Sequence, residues 1–478
     1  MTRRTKIVAT VGPASESPEQ LEALIQAGAD VFRLGLAHGD AAQHLARVER
    51  IRKAAAAAGR PIALLIDLPG RKVRAAGFPD GGVFLAEGDQ VLLVPGESKS
   101  TATRIEVGYA PLLDDLEPGD IIAIGDGAIL LQVEELEDHA WQCVVVAAGR
   151  VQGRPGVHIP AGKLRLTTPT DDDLELLDQM APAEPDIVAV SFVRRAEDLE
   201  PVRSAVGDRT ALVLAKIETR GACEDLESII EASDALMVAR GDLGLECPVE
   251  EVPHLQKRIV RTGIAWGKPV IIATQMLESM VHAPRPTRAE ASDVANAVFD
   301  GTDAVMLSGE TAIGHDPVLA VRTMASIVER AEAHADYLAW GGRLGKLQRA
   351  AETPKALAIT AAVTHAAWRA AVELDARAIL CCTRSGQTAR AMARFRPLMP
   401  IVGSSPDESV VRGLALSWGV VPELVDWYDS TDDMVWHVVE RAVHTGFARP
   451  GDFLVVIAGA PSPDEQSASD VLRVVRVR

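Results

Sequence analysis

Aromatic residues are scarce in this 478-residue chain, at 4%. With abundant Ala, Val and Leu, that scarcity suits barrels and layered α/β folds better than β-sandwiches. Cysteine is rarer still. Cys143, Cys223, Cys247, Cys381 and Cys382 show no CxxC spacing, which argues against a zinc site and a disulfide framework. No apolar run approaches the ~20 residues of a membrane span. Positive charge is also short: 49 Lys and Arg face 67 Asp and Glu, for a net charge of −18. That balance argues against a general nucleic-acid or anionic-membrane partner. An anionic substrate would therefore need a local cluster of Arg and Lys. The basic start at Arg3-Arg4 runs into Lys6–Ala9, but Gly12-Pro13 cuts the run too short for a signal peptide. A cytoplasmic protein is expected.

What the chain does hold is a repeated pattern. Eight short apolar runs occur at Lys6–Val11, Asp30–Leu36, Ile62–Leu68, Ile187–Val193, Leu212–Glu218, Ala235–Arg240, Pro269–Gln275 and Ala304–Glu310. Most are followed by a helical pattern. Continuous apolar strands alternating with helices mean a parallel sheet covered on both faces, and eight of them predict a (β/α)8 TIM barrel. Polar residues gather at the C-terminal ends of the runs, among them Arg33, Asp67, Ser191, Lys216, Glu218, Arg240, Asp242, Thr274, Ser308 and Glu310. In such a barrel that end carries the chemistry.

At 478 residues the chain needs more than one core. From residue 71 to 165 the period shortens to β-like pieces with turn signals such as Pro118-Gly119-Asp120 and Gly125-Asp126-Gly127. This predicts a small β-barrel lid inserted in a barrel loop. The barrel is then expected at 1–70 and 166–340. After a stretch with Gly341-Gly342 and Gly345, a C-terminal α/β regulatory domain is expected at 353–478. Its strand candidates include Ala378–Thr383, Pro400–Gly403 and Phe453–Ala458.

Lys216-Ile217-Glu218 closes the fifth run, and Ala239-Arg240-Gly241-Asp242-Leu243-Gly244 closes the sixth. Two residues apart on a strand, Lys216 and Glu218 point the same way. Mg²⁺ is typically held by one or two carboxylates plus substrate oxygens and water, which Glu218 and Asp242 could supply from neighbouring strands. An isolated Lys-x-Glu is more often a pair of inward salt bridges; beside the Gly241-Asp242 turn, a site becomes the better reading. The Gly241 and Asp242 amides, where a helix should begin, are candidates for holding a substrate carboxylate.

Longer motifs point further. Ala273-Thr274-Gln275-Met276-Leu277-Glu278-Ser279-Met280 is followed by residues 284–298, PRPTRAEASDVANAV, and then by Met306–Ala312, MLSGETA. With residues 6–15, KIVATVGPAS, the chain resembles the pyruvate kinase family from end to end. The resemblance implies Mg²⁺- or Mn²⁺-dependent transfer of the phosphoryl group of phosphoenolpyruvate to ADP, giving pyruvate and ATP, in a homotetramer. It implies that Lys216 and Arg33 meet the transferring phosphoryl group. Glu218 and Asp242 would bind the metal, while Gly241, Asp242 and Thr274 would meet substrate. Thr274, Ser308 and Glu310 would shape the route that protonates the enolate. On the nucleotide side it implies His38, Arg74 and Asp126. In the C-terminal domain Thr383, Arg384, Ser385, Gly386 and Thr388 match the family's loop for a phosphorylated metabolite, ahead of a helix expected at Ala389–Phe395. Hydroxyls and amides at such a helix start make a phosphate nest.

Departures from the family pattern are specific. Its K⁺ site uses side-chain oxygens in R-L-N-F-S-H-G and D-T-K-G-P-E segments. Here Gly35, Ala37 and Leu68 remove three of them, leaving Asp67, and Lys72 stands where the family has glutamate. An ion cannot shed water without replacement oxygens, so K⁺ is not expected to be required. A nucleotide-associated lysine becomes Pro155, with Arg154 beside it as a substitute. Asp464-Glu465 in the later C-terminal loop disfavours a bisphosphate effector. Two rival readings are a barrel lyase using phosphoenolpyruvate or pyruvate, which would need no lid, and a weakly active or non-catalytic sugar-phosphate sensor. Intact Lys216, Glu218, Asp242, Thr274 and Glu310 argue against the sensor.

Overall fold

The computed structural model describes residues 3–70, 73–125, 127–159, 163, 167–207, 209–347, 355–428, 430–459 and 469–478. Its eight predominantly apolar runs form a closed parallel barrel. In chain order the strands are Lys6–Thr10, Val31–Gly35, Ala63–Asp67, Ile187–Val190, Leu212–Ile217, Ala235–Ala239, Val270–Ala273 and Ala304–Leu307. The first pairs with the eighth, Lys6 opposite Ala304, which closes the ring. Strand side chains pack both ways, outward onto helices and inward to fill the barrel, and so most are apolar.

The covering helices carry clear start and stop signals. Ser17 caps Pro18–Ala27 by accepting the Gln20 amide, and Gly28 ends it in a left-handed turn. Thr287 and Glu290 form a reciprocal capping box on Arg288–Asp300. That helix ends at Gly301 (φ +92°), where a Cβ would lie 2.4 Å from the Trp340 ring, so only glycine fits. Trp340 belongs to the helix Tyr337–Leu347, so the glycine-bearing stretch after the barrel is helical.

Between the third and fourth barrel strands lie a six-stranded sheet and a two-stranded pair around their own apolar core. This inserted unit reaches back to the barrel mouth. His158 Nε2 lies 3.0 Å from Glu246 Oε1, at the end of the helix Arg240–Glu246. The C-terminal domain is a five-stranded sheet in which Ile401–Ser405, Ala378–Cys382 and Phe453–Ala458 are parallel neighbours. Val420–Leu424 and the antiparallel edge Val471–Arg476, which sequence patterning missed, complete it.

This domain packs on the barrel floor. Arg412 and Arg52 share the buried Asp186 carboxylate at 2.7 and 3.0 Å, Lys6 Nζ donates to the Val420 carbonyl, and Arg396 pairs with Asp303. Three of these barrel residues, Asp186, Lys6 and Asp303, precede or begin strands. The inserted unit and the C-terminal domain therefore sit at opposite ends of the barrel. The expected boundary residues Arg71, Arg165, Leu166 and Thr353 lie outside the described residues.

Candidate active site

At the C-terminal end of the barrel the strand-end polar residues converge. Lys216 Nζ donates to Ser191 Oγ at 2.7 Å and lies 3.4 Å from Asp67 Oδ1 and 3.3 Å from Glu218 Oε2. Burial alone would lower its pKa, but Asp67, Glu218 and Asp242 outweigh that and raise it, so the ammonium is locked on. Ser191 donates its own hydroxyl hydrogen bond to the Leu68 carbonyl at 2.7 Å, which aims its lone pairs at Lys216. Arg33 is fixed from two sides. Its Nε and Nη2 both lie 2.7 Å from Asp67 Oδ2, and its Nη1 donates to Thr10 Oγ1 at 3.2 Å. Although burial pushes the Asp67 carboxyl up, Lys216 and Arg33 bring it down, and it stays ionised. Two fixed cations at the mouth of an acidic protein form the local cluster an anionic substrate needs.

Glu218 is fully buried and accepts the Phe192 amide on Oε1 at 2.7 Å. Its Oε2 has no hydrogen-bond donor among the described residues. Burial pushes its pKa up to about 7, with Lys216 opposing and the Asp242 carboxylate adding to the rise. A buried carboxylate with an orphan oxygen, facing a second carboxylate, is what a divalent cation would satisfy. The donor set fits Mg²⁺ with its remaining positions left to substrate and water.

The seventh and eighth strand ends depart from sequence expectation in detail. Thr274 and Gln275 both take left-handed φ, +65° and +55°, a costly pairing for non-glycine residues. The Thr274 hydroxyl accepts the Gly241 amide at 2.9 Å and donates to the Ala273 carbonyl at 2.7 Å. The Gly241 N–H expected to hold a substrate carboxylate is therefore already taken. Arg240 locks the same turn, donating to the Thr274 carbonyl at 2.6 Å and pairing with Asp293 at 2.6 Å. Glu310 is fully buried and spends both oxygens on backbone, accepting the Leu277 amide at 3.0 Å and the Ser308 amide at 2.7 Å. It holds the seventh and eighth strand ends together. Ser308 sits half-buried at the rim.

On the nucleotide side, His38 is exposed beyond the second strand, and Arg74 Nη1 donates to the Arg154 carbonyl at 3.3 Å. Asp126 and Lys72 lie outside the described residues.

Ser191, Thr10 and the Phe192 amide were not singled out as site residues from sequence. Ser191 was visible as a polar strand end. Thr10 lies within an apolar strand, and nothing in its spacing marks it.

In the C-terminal domain the helix after the loop spans Gln387–Ala393, two residues earlier than expected. Arg384 and Ser385 are exposed, and Arg384 lies over the Trp427 ring at 5.2 Å. Gly386 (φ +79°) makes the turn. Thr383 and Thr388 are buried, and the Thr388 hydroxyl is bonded to Ser469. The expected ring of hydroxyls is thus reduced, because Thr388 faces inward. Asp464 and Glu465 lie outside the described residues.

The family model "Pyruvate kinase, barrel domain" matches residues 2–321, and "Pyruvate kinase, alpha/beta domain" matches residues 361–475. A pyruvate kinase of Geobacillus stearothermophilus is 42% identical, covering 99% of this chain and 80% of the relative. One of Clostridium acetobutylicum is 39% identical, covering 96% of this chain and 97% of the relative. One of Staphylococcus saprophyticus is 41% identical over 97% of this chain and 79% of its own length.

Proposed function

This chain belongs to the pyruvate kinase family and moves the phosphoryl group of phosphoenolpyruvate to ADP, and we propose that the charge cluster around Lys216 carries that transfer. The observation behind this reading is the Lys216 ammonium, held by Ser191 and flanked by Asp67 and Glu218. Phosphoryl transfer asks a protein mainly for positioning and charge stabilisation. The Lys216 ammonium is held by its hydrogen bond to Ser191 and by the Asp67 and Glu218 carboxylates at 3.4 and 3.3 Å, and Arg33 is clamped beside it by Asp67. Both would face the phosphoryl group and the enolate oxygen as negative charge builds there.

The family uses Mg²⁺. In this chain Glu218 and Asp242 would hold it, and bound there it supplies charge neutralisation of the phosphates. Thr274 positions the turn that carries Asp242, through the Gly241 amide. Glu310 positions Ser308 through its amide, and Ser308 would shape the route that protonates the enolate. His38, Arg74 and Arg154 would meet ADP from the side of the inserted unit.

K⁺ is not required in this reading. Asp67, the remaining ligand of the family's cation segment, already has Arg33 on Oδ2 and the Lys216 ammonium beside Oδ1. Two fixed cations thus already meet its charge, and a third would be repelled. The deciding experiment is a steady-state assay of pyruvate formation with phosphoenolpyruvate, ADP and Mg²⁺, with and without K⁺. Activity that needs ADP and Mg²⁺ is expected; pyruvate release independent of ADP would overturn the reading.

A further inference from the structure

One side chain of the inserted unit reaches the short helix that carries Asp242. His158 Nε2 lies 3.0 Å from Glu246 Oε1, with the two side chains 15% and 6% exposed. Glu246 ends the helix Arg240–Glu246, whose first turn holds Gly241 and Asp242. Its second oxygen, Oε2, faces the Arg220 amide at 3.5 Å, two residues past Glu218. Glu246 therefore stands between the two strand exits that present the candidate metal carboxylates. The hairpin turn of the inserted unit meets the same helix, since a Cβ built on Gly127 would lie 3.0 Å from Leu245 Cδ2.

His158 is tied just as closely to the nucleotide side of its own unit. It pairs with Ala123 on the strand Ile121–Ile124, which runs into the hairpin turn at Gly125. The Val157 amide donates to the Val73 carbonyl, the Gly125 amide to the Gly156 carbonyl and the Ala75 amide to the Pro155 carbonyl, each at 2.9 Å. Arg74 lies within this ladder, bridged to Gly156, and its side chain donates to the Arg154 carbonyl at 3.3 Å. Arg74, Arg154 and the hairpin turn are thus fastened to the stretch that ends at His158. Any shift of His158 across the barrel mouth carries them along. The contact with Glu246 is close in distance but not in direction: His158 Nε2 is buried and makes no well-directed hydrogen bond among the described residues. Buried polar atoms favour arrangements that match them, so a small movement of the inserted unit that lines up this pair is favourable.

We propose that the His158–Glu246 pair seats the inserted unit over the barrel mouth and so sets the affinity for ADP, acting through the placement of Arg74 and Arg154. The inference rests on the reading above that these two arginines meet ADP. His158 and Glu246 are positioning residues in this scheme. Phosphoenolpyruvate is assigned to Arg33, Lys216 and the metal carboxylates, all of which belong to the barrel. Loss of the pair should therefore weaken the hold on nucleotide and leave the phosphoenolpyruvate side in place.

Steady-state kinetics of the full chain, with ADP and phosphoenolpyruvate varied separately, test this. His158→Ala should raise KM for ADP about tenfold, the scale of one hydrogen bond to a charged group. KM for phosphoenolpyruvate and saturated kcat should stay within about twofold of wild type, the split expected when only nucleotide binding is lost. His158→Gln offers an amide N–H at similar reach and should recover most of the ADP affinity. Glu246→Ala should raise KM for ADP as His158→Ala does, and the double variant should be no worse than the more affected single, because both remove one contact. Arg74→Ala, measured alongside, separates the two layers of the argument. A raised KM for ADP in Arg74→Ala with His158→Ala equal to wild type overturns the pair alone. An unchanged Arg74→Ala overturns the nucleotide-side reading and the inference with it. A His158→Ala defect that falls on kcat, a His158→Gln variant no better than His158→Ala, or fully additive losses in the double variant would each also overturn the proposal.

Discussion

The Thr274 hydroxyl accepts the amide of Gly241 at 2.9 Å, across the gap between the seventh and sixth barrel strands. That single bond joins the turn carrying Asp242 to a turn held in two consecutive left-handed residues. A hydroxyl whose proton goes to the Ala273 carbonyl and whose lone pair takes the Gly241 amide is occupied as a positioning group. It is not a free acid.

Thr274→Ser should therefore keep most activity, because it keeps both bonds. Thr274→Ala orphans the Gly241 amide and lets the turn relax. A misplacement of about 1 Å can cost ~10²-fold, and a loss of that order in kcat/KM is expected. Steady-state kinetics of the two variants at matched Mg²⁺ decide the point. Equal, severe loss in both would show that the threonine methyl matters, and not the hydrogen bonds.

Lys216→Met removes the fixed cation from the transferring group and should cost at least ~10³-fold in kcat, as loss of a strong oxyanion donor does. Ser191→Ala leaves that cation in place but frees its aim, and a loss of about tenfold is expected from one lost orienting hydrogen bond. Near-normal turnover in Lys216→Met would remove Lys216 from the chemistry.

Much of this arrangement was legible before any coordinates. The eight barrel strands were readable because parallel strands buried on both faces are continuous apolar runs, and their polar ends mark the catalytic face. Lys216, Glu218 and Arg33 stood out for the same reason. What spacing does not carry is which polar atoms are already taken. Gly241 looked like an open amide, Glu310 like a site carboxylate and Thr388 like a phosphate ligand. Each is instead satisfied by a partner distant in sequence: Thr274 for Gly241, the Leu277 amide for Glu310 and Ser469 for Thr388.

K⁺ should not activate the enzyme, because the Asp67 carboxylate already faces two fixed cations, Arg33 and Lys216. Lys72→Glu reverses the charge that stands where the family's glutamate does and should cripple turnover without restoration by K⁺, since Gly35, Ala37 and Leu68 offer no side-chain oxygens. Initial rates across a K⁺ series, with Na⁺ holding ionic strength constant, measure this. Strong activation of the wild type would show that the site takes an ion after all.

The loop Thr383–Thr388 is expected to bind a phosphorylated metabolite and to couple that binding to phosphoenolpyruvate affinity. Arg384 and Ser385 present a guanidinium and a hydroxyl to solvent beside Trp427, and the Gly386 turn opens the helix that follows. Because Thr388 is bonded inward to Ser469, one phosphate has fewer hydroxyls to meet than the sequence suggests, which favours a monophosphate such as a sugar phosphate or AMP. Allosteric coupling is typically ~1–3 kcal/mol, so a shift of about 5- to 150-fold in apparent phosphoenolpyruvate affinity is the range to look for. Ser385→Asp puts a negative charge where the phosphate would sit and should abolish the response while leaving saturated kcat unchanged. Thr388→Val, which removes only an inward-facing hydroxyl, should leave the response largely intact. Saturation curves with and without sugar monophosphates and AMP, on the wild type and both variants, separate the cases. A wild-type curve that no phosphorylated metabolite moves, or a Ser385→Asp curve that still responds, would reduce the loop to a helix start and nothing more.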